Sequence, residues 1–250
     1  MHRSYGSCRS LRSVQNAIVC LPTYNERENV EAMLRALEPL GVRVLVIDDN
    51  SPDGTGEIAD RLADELDFVS VLHRESKEGL GPAYLAGFRR ALDEGAELIL
   101  EMDCDFSHEP KDVPRLIAAC EGGADLALGS RYVPGGGTAN WGIGRRIVSW
   151  GGSFYARLVL GVRIRDLTGG FKCYRRRVLE TIDLDAIHSK GYAFQIEGTY
   201  RTLRKGFKVA EVPIRFADRT EGVSKMSRTI FLEAVVNVPR LRLAALRGRL

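Results

Sequence analysis

From residue 17 to residue 128 short apolar runs alternate with stretches in which apolar residues recur every three or four positions. Ala17-Ile18-Val19-Cys20-Leu21 reads as a strand ending at Pro22, and further strands are predicted over 42–47, 68–72, 97–102 and 124–128. Helical spacing lies between them, over 28–40, 53–66, 81–94 and 111–120. This order predicts an α/β fold with a mostly parallel sheet covered on both faces by helices. Beyond residue 128 the pattern is less regular. Helices are predicted over 145–160, 194–204 and 229–246, a strand over 208–216, a Gly-containing turn over 166–171 and a polar loop over 218–227.

In parallel sheets ligands bind beyond the carboxyl ends of the strands. The residues that follow the predicted strands are Pro22-Thr23-Tyr24-Asn25-Glu26, Asp48-Asp49-Asn50-Ser51, Asp103-Cys104-Asp105 and Gly129-Ser130-Arg131-Tyr132. Polar and acidic groups therefore converge on one edge.

Composition narrows the function classes. The 250 residues are 44% apolar and 28% charged with a net charge of +3. That suits a globular domain and lacks the basic excess of a nucleic-acid binder. The five cysteines include no CxxC pair, which argues against a disulfide framework or a zinc site and for a reducing, cytoplasmic setting. Residues 1–15 are polar and Arg/Ser-rich and read as a disordered tail, a bias that also fits a transit peptide. No apolar run approaches the ~20 residues of a membrane span. Residues 240–250 carry four arginines and no acid.

Asp103-x-Asp105 closes an apolar strand. Two carboxylates so placed can share Mg²⁺ or Mn²⁺, which completes its shell with substrate phosphate oxygens; the same pair would also serve as solvated acids in a turn. Ser107 and His108 both lie within reach of the shell of such a metal, and His108 reads alternatively as a surface loop residue. Asp48-Asp49 is either a hydrogen-bond acceptor for a base or ribose or a helix-capping turn. Glu78-Gly79-Leu80-Gly81-Pro82 is not a dinucleotide fingerprint; its glycines let the backbone turn into a helix.

Leu21-Pro22-Thr23-Tyr24-Asn25-Glu26 followed by Val46-Ile47-Asp48-Asp49-Asn50-Ser51-Pro52-Asp53-Gly54-Thr55 resembles the opening of family 2 glycosyltransferases with the Rossmann-like GT-A fold. Asp103 to His108 resembles their DxD segment. The segments 129–132, 166–171, 190–195 and 211–214 are similar to dolichol- or polyprenol-phosphate mannose synthases in particular. The resemblance covers roughly residues 16–235. It implies a GT-A catalytic domain over 16–228 and a C-terminal amphipathic helix over 229–250. Pro22, Tyr24 and Glu26 would contact guanosine, with Asp49 beside them. Asp103, Asp105 and Ser107 would meet the metal, Mg²⁺ or Mn²⁺. Arg219 and Lys225 match a mobile loop that closes on the donor, and Arg131 and Arg145 match positions that hold the lipid phosphate. Cys104 stands where the family often has alanine, its side chain expected to point away from the metal.

The activity implied is inverting transfer of mannose from GDP-mannose to dolichyl or polyprenyl phosphate. A phosphate monoester with a second pKa near ~6 attacks without a protein base, so Asp105, Arg131 and Arg145 are the catalytic candidates, supplying charge rather than proton transfer. The alternatives are a related transferase using another donor such as UDP-glucose, and a non-catalytic nucleotide-sugar-binding subunit. The expected partners are GDP-mannose, the prenyl phosphate and the cytoplasmic face of a membrane, with room for a membrane-anchoring subunit. Ile230, Phe231, Ala234, Val235, Val238 and Leu241 form an apolar stripe on the last helix, which either lies on lipid or packs on the domain.

Overall fold

The computed structural model describes residues 16–187, 189, 191–217, 228–248 and 250. The strands are β1 (Ala17–Thr23), β2 (Arg43–Asp48), β3 (Val69–His73), β4 (Leu98–Glu101), β5 (Leu126–Ser130), β6 (Gly137–Thr138), β7 (Lys172–Arg175), β8 (Val209–Pro213) and β9 (Arg215–Phe216). The helices are α1 (Val30–Leu37), α2 (Thr55–Glu65), α3 (Leu80–Asp93), α4 (Val113–Glu121), α5 (Ile143–Leu160), α6 (Arg176–Thr181), α7 (Gly191–Arg204) and α8 (Arg228–Leu246). Seven strands form one sheet in the order β3-β2-β1-β4-β7-β5-β8, and β6 pairs with β9. β7 alone runs antiparallel to its neighbours in the large sheet.

Alternation along β1 explains the layering. Ala17, Val19 and Leu21 point into one core, packed by Val30, Met33 and Leu34 of α1, Leu62 of α2 and Leu116 of α4. Ile18 and Cys20 point into the other, packed by Tyr84 and Phe88 of α3, Val178 of α6 and Phe194 of α7. A strand buried on both faces must be apolar throughout, which is why these strands read as continuous runs. A third core joins Leu128 to Ala156 and Leu160 of α5, Ile196 and Tyr200 of α7, and Val238, Leu241 and Ala245 of α8.

β7 and α6 carried no clear periodic signal, because the four residues of β7 include Lys172 and Arg175. Of the two placements open for the stripe on α8, Val238 and Leu241 take the packed one, both being buried. The side chains of Ile230, Phe231 and Ala234 lie outside the described residues, as do Arg219 and Lys225. Among the described residues no helix is long and apolar enough to cross a membrane.

Lys172 and Glu101 are both fully buried at the centre of the sheet, Nζ to Oε2 4.0 Å. Lys172 also donates to the Gln195 carbonyl at 2.8 Å and to its side-chain oxygen. Burial pushes the Glu101 carboxyl up and the Lys172 amine down, each opposed by the other's charge. Removing one partner strands a charge in an apolar interior, whereas replacing both does not. Lys172→Met is therefore expected to lose about 3–5 kcal/mol of stability in urea unfolding, and the double variant Glu101→Leu, Lys172→Met to recover most of that loss.

Candidate active site

The parallel register sets the site. Thr23 lies opposite Asp48, and Asp48 opposite His73. The next residues, Tyr24, Asp49 and Arg74, consequently leave three adjacent strand ends in a row. The two aspartates of the pair have different partners. Asp48 accepts from Thr23 Oγ1 at 3.0 Å, Ser51 N at 3.0 Å and Ser51 Oγ at 2.6 Å, so it builds the turn. Asp49 accepts from Arg74 Nη1 at 2.6 Å. Burial pushes its carboxyl up, and Arg74 works against that. Lys77 Nζ sits 3.8 Å from the Tyr24 ring centroid. Glu26 holds the start of α1, accepting from Asn29 Nδ2 at 2.9 Å while its own N–H donates to Thr55 Oγ1 at 3.0 Å. Pro22, Tyr24 and Glu26 are all partly open to solvent.

At the next strand end Asp103 is 29% exposed and its Oδ1 accepts from the Tyr84 hydroxyl at 3.2 Å. Asp105 is buried, and its Oδ1 accepts from Ser107 N at 3.0 Å. Cys104, between them, points into the core as expected. Its thiol is pushed far up by burial first and then by the carboxylates of Glu26, Asp105 and Asp103, which places all three acids around it. The Ser107 hydroxyl is buried and makes no hydrogen bond. Among the described residues no group of three or more His, Cys, Asp or Glu forms a metal cage. Two carboxylates and a spare hydroxyl suit a hard divalent cation that draws the rest of its shell from water and phosphate oxygens. They do not suit a structural zinc.

His108 departs from its expected surface position. It is buried, its Nδ1 accepting from Asp103 N at 3.1 Å, its ring stacked on Phe171 at 4.9 Å and against the edge of Phe216 at 5.2 Å.

Arginines occupy the other side. Arg131 is buried, with Nε and Nη2 gripping Asp166 at 2.7 Å each and Nη2 also reaching Thr168 at 2.9 Å. The bidentate fork expected to hold phosphate thus already holds a carboxylate. Asp166 is itself fully buried and also accepts from Arg131 N at 2.9 Å. Arg145 lies in the first turn of α5 with its guanidinium 4.1 Å from the Trp141 ring centroid. A cavity of about 410 Å³ opens here, lined by Arg131, Tyr132, Thr138, Arg146, Ile147 and Trp150 among others. Above it, Ile143, Ile147, Trp150, Phe154 and Leu158 form an exposed apolar ridge along α5, with Ile143 76% and Leu158 70% exposed.

Phe216 links the two sides, its ring centroid 5.2 Å from that of His108 and 5.4 Å from the Arg131 guanidinium. Residues 18–183 match glycosyl transferase family 2. The chain belongs to that family. It is 50% identical over 244 residues to the polyprenol monophosphomannose synthase of Mycolicibacterium smegmatis, an alignment that covers 96% of this chain and 91% of the relative. It is 51% identical over 239 residues to the undecaprenyl-phosphate mannosyltransferase of Micrococcus luteus, covering 93% and 98%. Among solved structures, a mannosyltransferase of Pyrobaculum calidifontis in complex with GDP-Man and Mn²⁺ superposes with a TM-score of 0.55 at 13% identity, over 96% of this chain and 80% of that one. GalNAc-T7 with UDP, GalNAc and Mn²⁺ gives 0.59 at 16%, over 91% and 48%. These two show the GT-A fold.

In this family 2 glycosyltransferase the sequence reading missed Arg74, Lys77, Arg146 and Asp166 at the site. Arg146 carried a signal, since it adjoins Arg145, but adjacent helical residues point about 100° apart and only the fold shows which one meets the cavity. Asp166 lay inside the recognised turn without an assigned role. Arg131→Ala strands the fully buried Asp166 and is expected to lose about 3–5 kcal/mol in chemical denaturation. Arg145→Ala, at a half-buried residue on an outer helix, should stay within about 1 kcal/mol of the parent in the same measurement.

Proposed function

We propose that this glycosyltransferase transfers mannose from GDP-mannose to a polyprenyl phosphate at a membrane surface. The observation that carries the reading is the arginine-lined cavity at the foot of the exposed α5 ridge, next to the acidic strand ends. A polyprenyl phosphate has the same two parts, an anionic head and a long apolar tail. The named relatives at about half identity act on that class of acceptor by their names.

On the donor side Asp49, braced by Arg74, suits guanine, whose edge offers neighbouring N–H donors to a carboxylate, and Tyr24 offers a stacking face. Asp103 and Asp105, with Ser107 beside them, would hold Mg²⁺ or Mn²⁺, which neutralises charge on the leaving diphosphate. Arg145 and Arg146 supply positive charge where the acceptor phosphate enters, and Arg131, fixed by Asp166, forms the wall behind it. An acceptor phosphate oxygen forms the new bond to the anomeric carbon while the bond from that carbon to the GDP diphosphate breaks, with inversion. The phosphate is already anionic near neutral pH, its second pKa being near ~6, so no protein group has to remove a proton. The task of the residues is placement and charge. Arg219 and Lys225 are proposed to close on the donor.

The function is tested with purified protein, a short-chain prenyl phosphate and a panel of labelled donors. GDP-mannose should be the preferred donor, and both excess chelator and Asp105→Ala should abolish transfer. Preference for UDP-glucose, no transfer at all, or full activity in chelator would each overturn the corresponding part.

The α5 ridge is proposed to rest on the bilayer. Residues 143–160 contain no acid, and Trp150 stacks on Phe154 at 5.2 Å with both rings exposed. α8 adds exposed Val236, Leu243 and Leu246 with Arg240 and Arg247 exposed beside them. Apolar and cationic groups together match an anionic lipid surface. The double variant Phe154→Ser, Leu158→Ser should lose at least about tenfold in binding to anionic vesicles. Its turnover of a water-soluble short-chain acceptor should persist.

A further inference from the structure

The last inter-strand bond before the acidic turn is donated by Met102 N to Cys20 O at 3.3 Å. The next N–H, that of Asp103, lies beyond the ladder, and a backbone donor at a buried strand end needs an acceptor. His108 provides it, five residues later, through Nδ1 at 3.1 Å. A backbone N–H can only donate, so Nδ1 is the acceptor and a neutral ring carries its proton on Nε2. The bond closes residues 103–108 into a small loop. Inside it Ser107 N donates to Asp105 Oδ1 at 3.0 Å, and Phe106 adopts the left-handed region at φ 58°. From outside, Ala217 N donates to Ser107 O at 3.3 Å.

The ring that closes this loop is itself fixed. Phe171 stacks on one face at an interplanar angle of 16°, and Phe216 meets it edge-on at 84°. With the ring plane set, the Nδ1 lone pair stays aimed at Asp103 N. Nδ1 also lies 4.0 Å from Asp103 Oδ2, while Oδ1 is held by Tyr84. We propose that His108 is a positioning residue: its Nδ1, clamped between Phe171 and Phe216, pins the Asp103 main chain and with it the direction in which the Asp103 and Asp105 carboxylates face a divalent cation and diphosphate. This rests on the reading of those aspartates as the metal and diphosphate site.

The experiment is calorimetric binding of GDP with and without Mn²⁺ to the full chain and three variants. Asn places its side-chain oxygen about where Nδ1 lies, Gln carries its amide farther out, and Phe keeps the ring but has no acceptor. His108→Asn should bind GDP with Mn²⁺ within about threefold of the parent, and His108→Gln and His108→Phe about tenfold more weakly. Metal-free GDP binding should be equal in all four proteins. Circular dichroism checks the fold, and if His108→Phe does not fold, the Asn and Gln pair decides. Equal Mn²⁺-dependent binding in all variants, or an Asn variant as weak as the Gln variant, overturns the proposal. Asp105→Asn separates the two levels. If it keeps Mn²⁺-dependent GDP binding, the metal reading itself falls and the His108 proposal with it; if it loses that binding while the His108 variants keep it, only the His108 proposal falls.

Discussion

Parallel strands can be joined only by crossovers, so each strand of this sheet must run the same way and deliver the chain to the same edge before a helix carries it back. That constraint puts Thr23, Asp48 and His73 side by side and opens the turns after β1, β2 and β4 at one edge of the sheet. The helices on both faces make the sheet dry, which is what lets a short run such as Leu98–Glu101 end abruptly in polar residues at the rim. The one exception to the direction rule, β7, enters from the opposite end and brings Lys172 to face Glu101. Its position lets the turn at 166–171 arrive at the same rim as the strand ends.

The site has two halves of opposite character. On the strand-end half, Asp103 and Asp105 follow β4, and Asp49 pairs with Arg74. On the other half arginines predominate, yet they are not equivalent. Arg131 is spent on Asp166, a buried pair that ties the end of β5 to the turn before β7. Arg145 lies on Trp141, and Arg146 reaches the cavity. The pair gives this half a buried wall, and Arg145 and Arg146 sit on α5, the same helix that carries the exposed apolar ridge. Under the proposed function, head and tail of the polyprenyl phosphate would both be addressed by that helix.

Much of this was legible in the chain. Short apolar runs between helical stretches located β1 to β5, and the acidic and polar residues after them located the site edge, because both depend on local chemistry and on a topology rule that needs no coordinates. The run of motifs from Leu21 to Ile214 was specific enough to name the family. Where local chemistry was ambiguous the sequence left alternatives open, as with Asp48 and Asp49: Asp48 builds the turn, and Asp49 pairs with Arg74.

What the sequence determined by itself is the fold class, the carboxylate edge and the kind of reaction, since these follow from residue type and order. Only the tertiary structure decided partnership and exposure. It put Asp166 in the fork of Arg131, buried His108 behind Asp103, turned Val238 and Leu241 of α8 inward and left Ile143, Trp150 and Phe154 of α5 outside. The physical reason is the same in each case. Whether an arginine meets phosphate or carboxylate, or an apolar face meets core or lipid, depends on which distant segment packs against it, and contacts between residues 35 or 80 positions apart leave no periodic trace in a single chain.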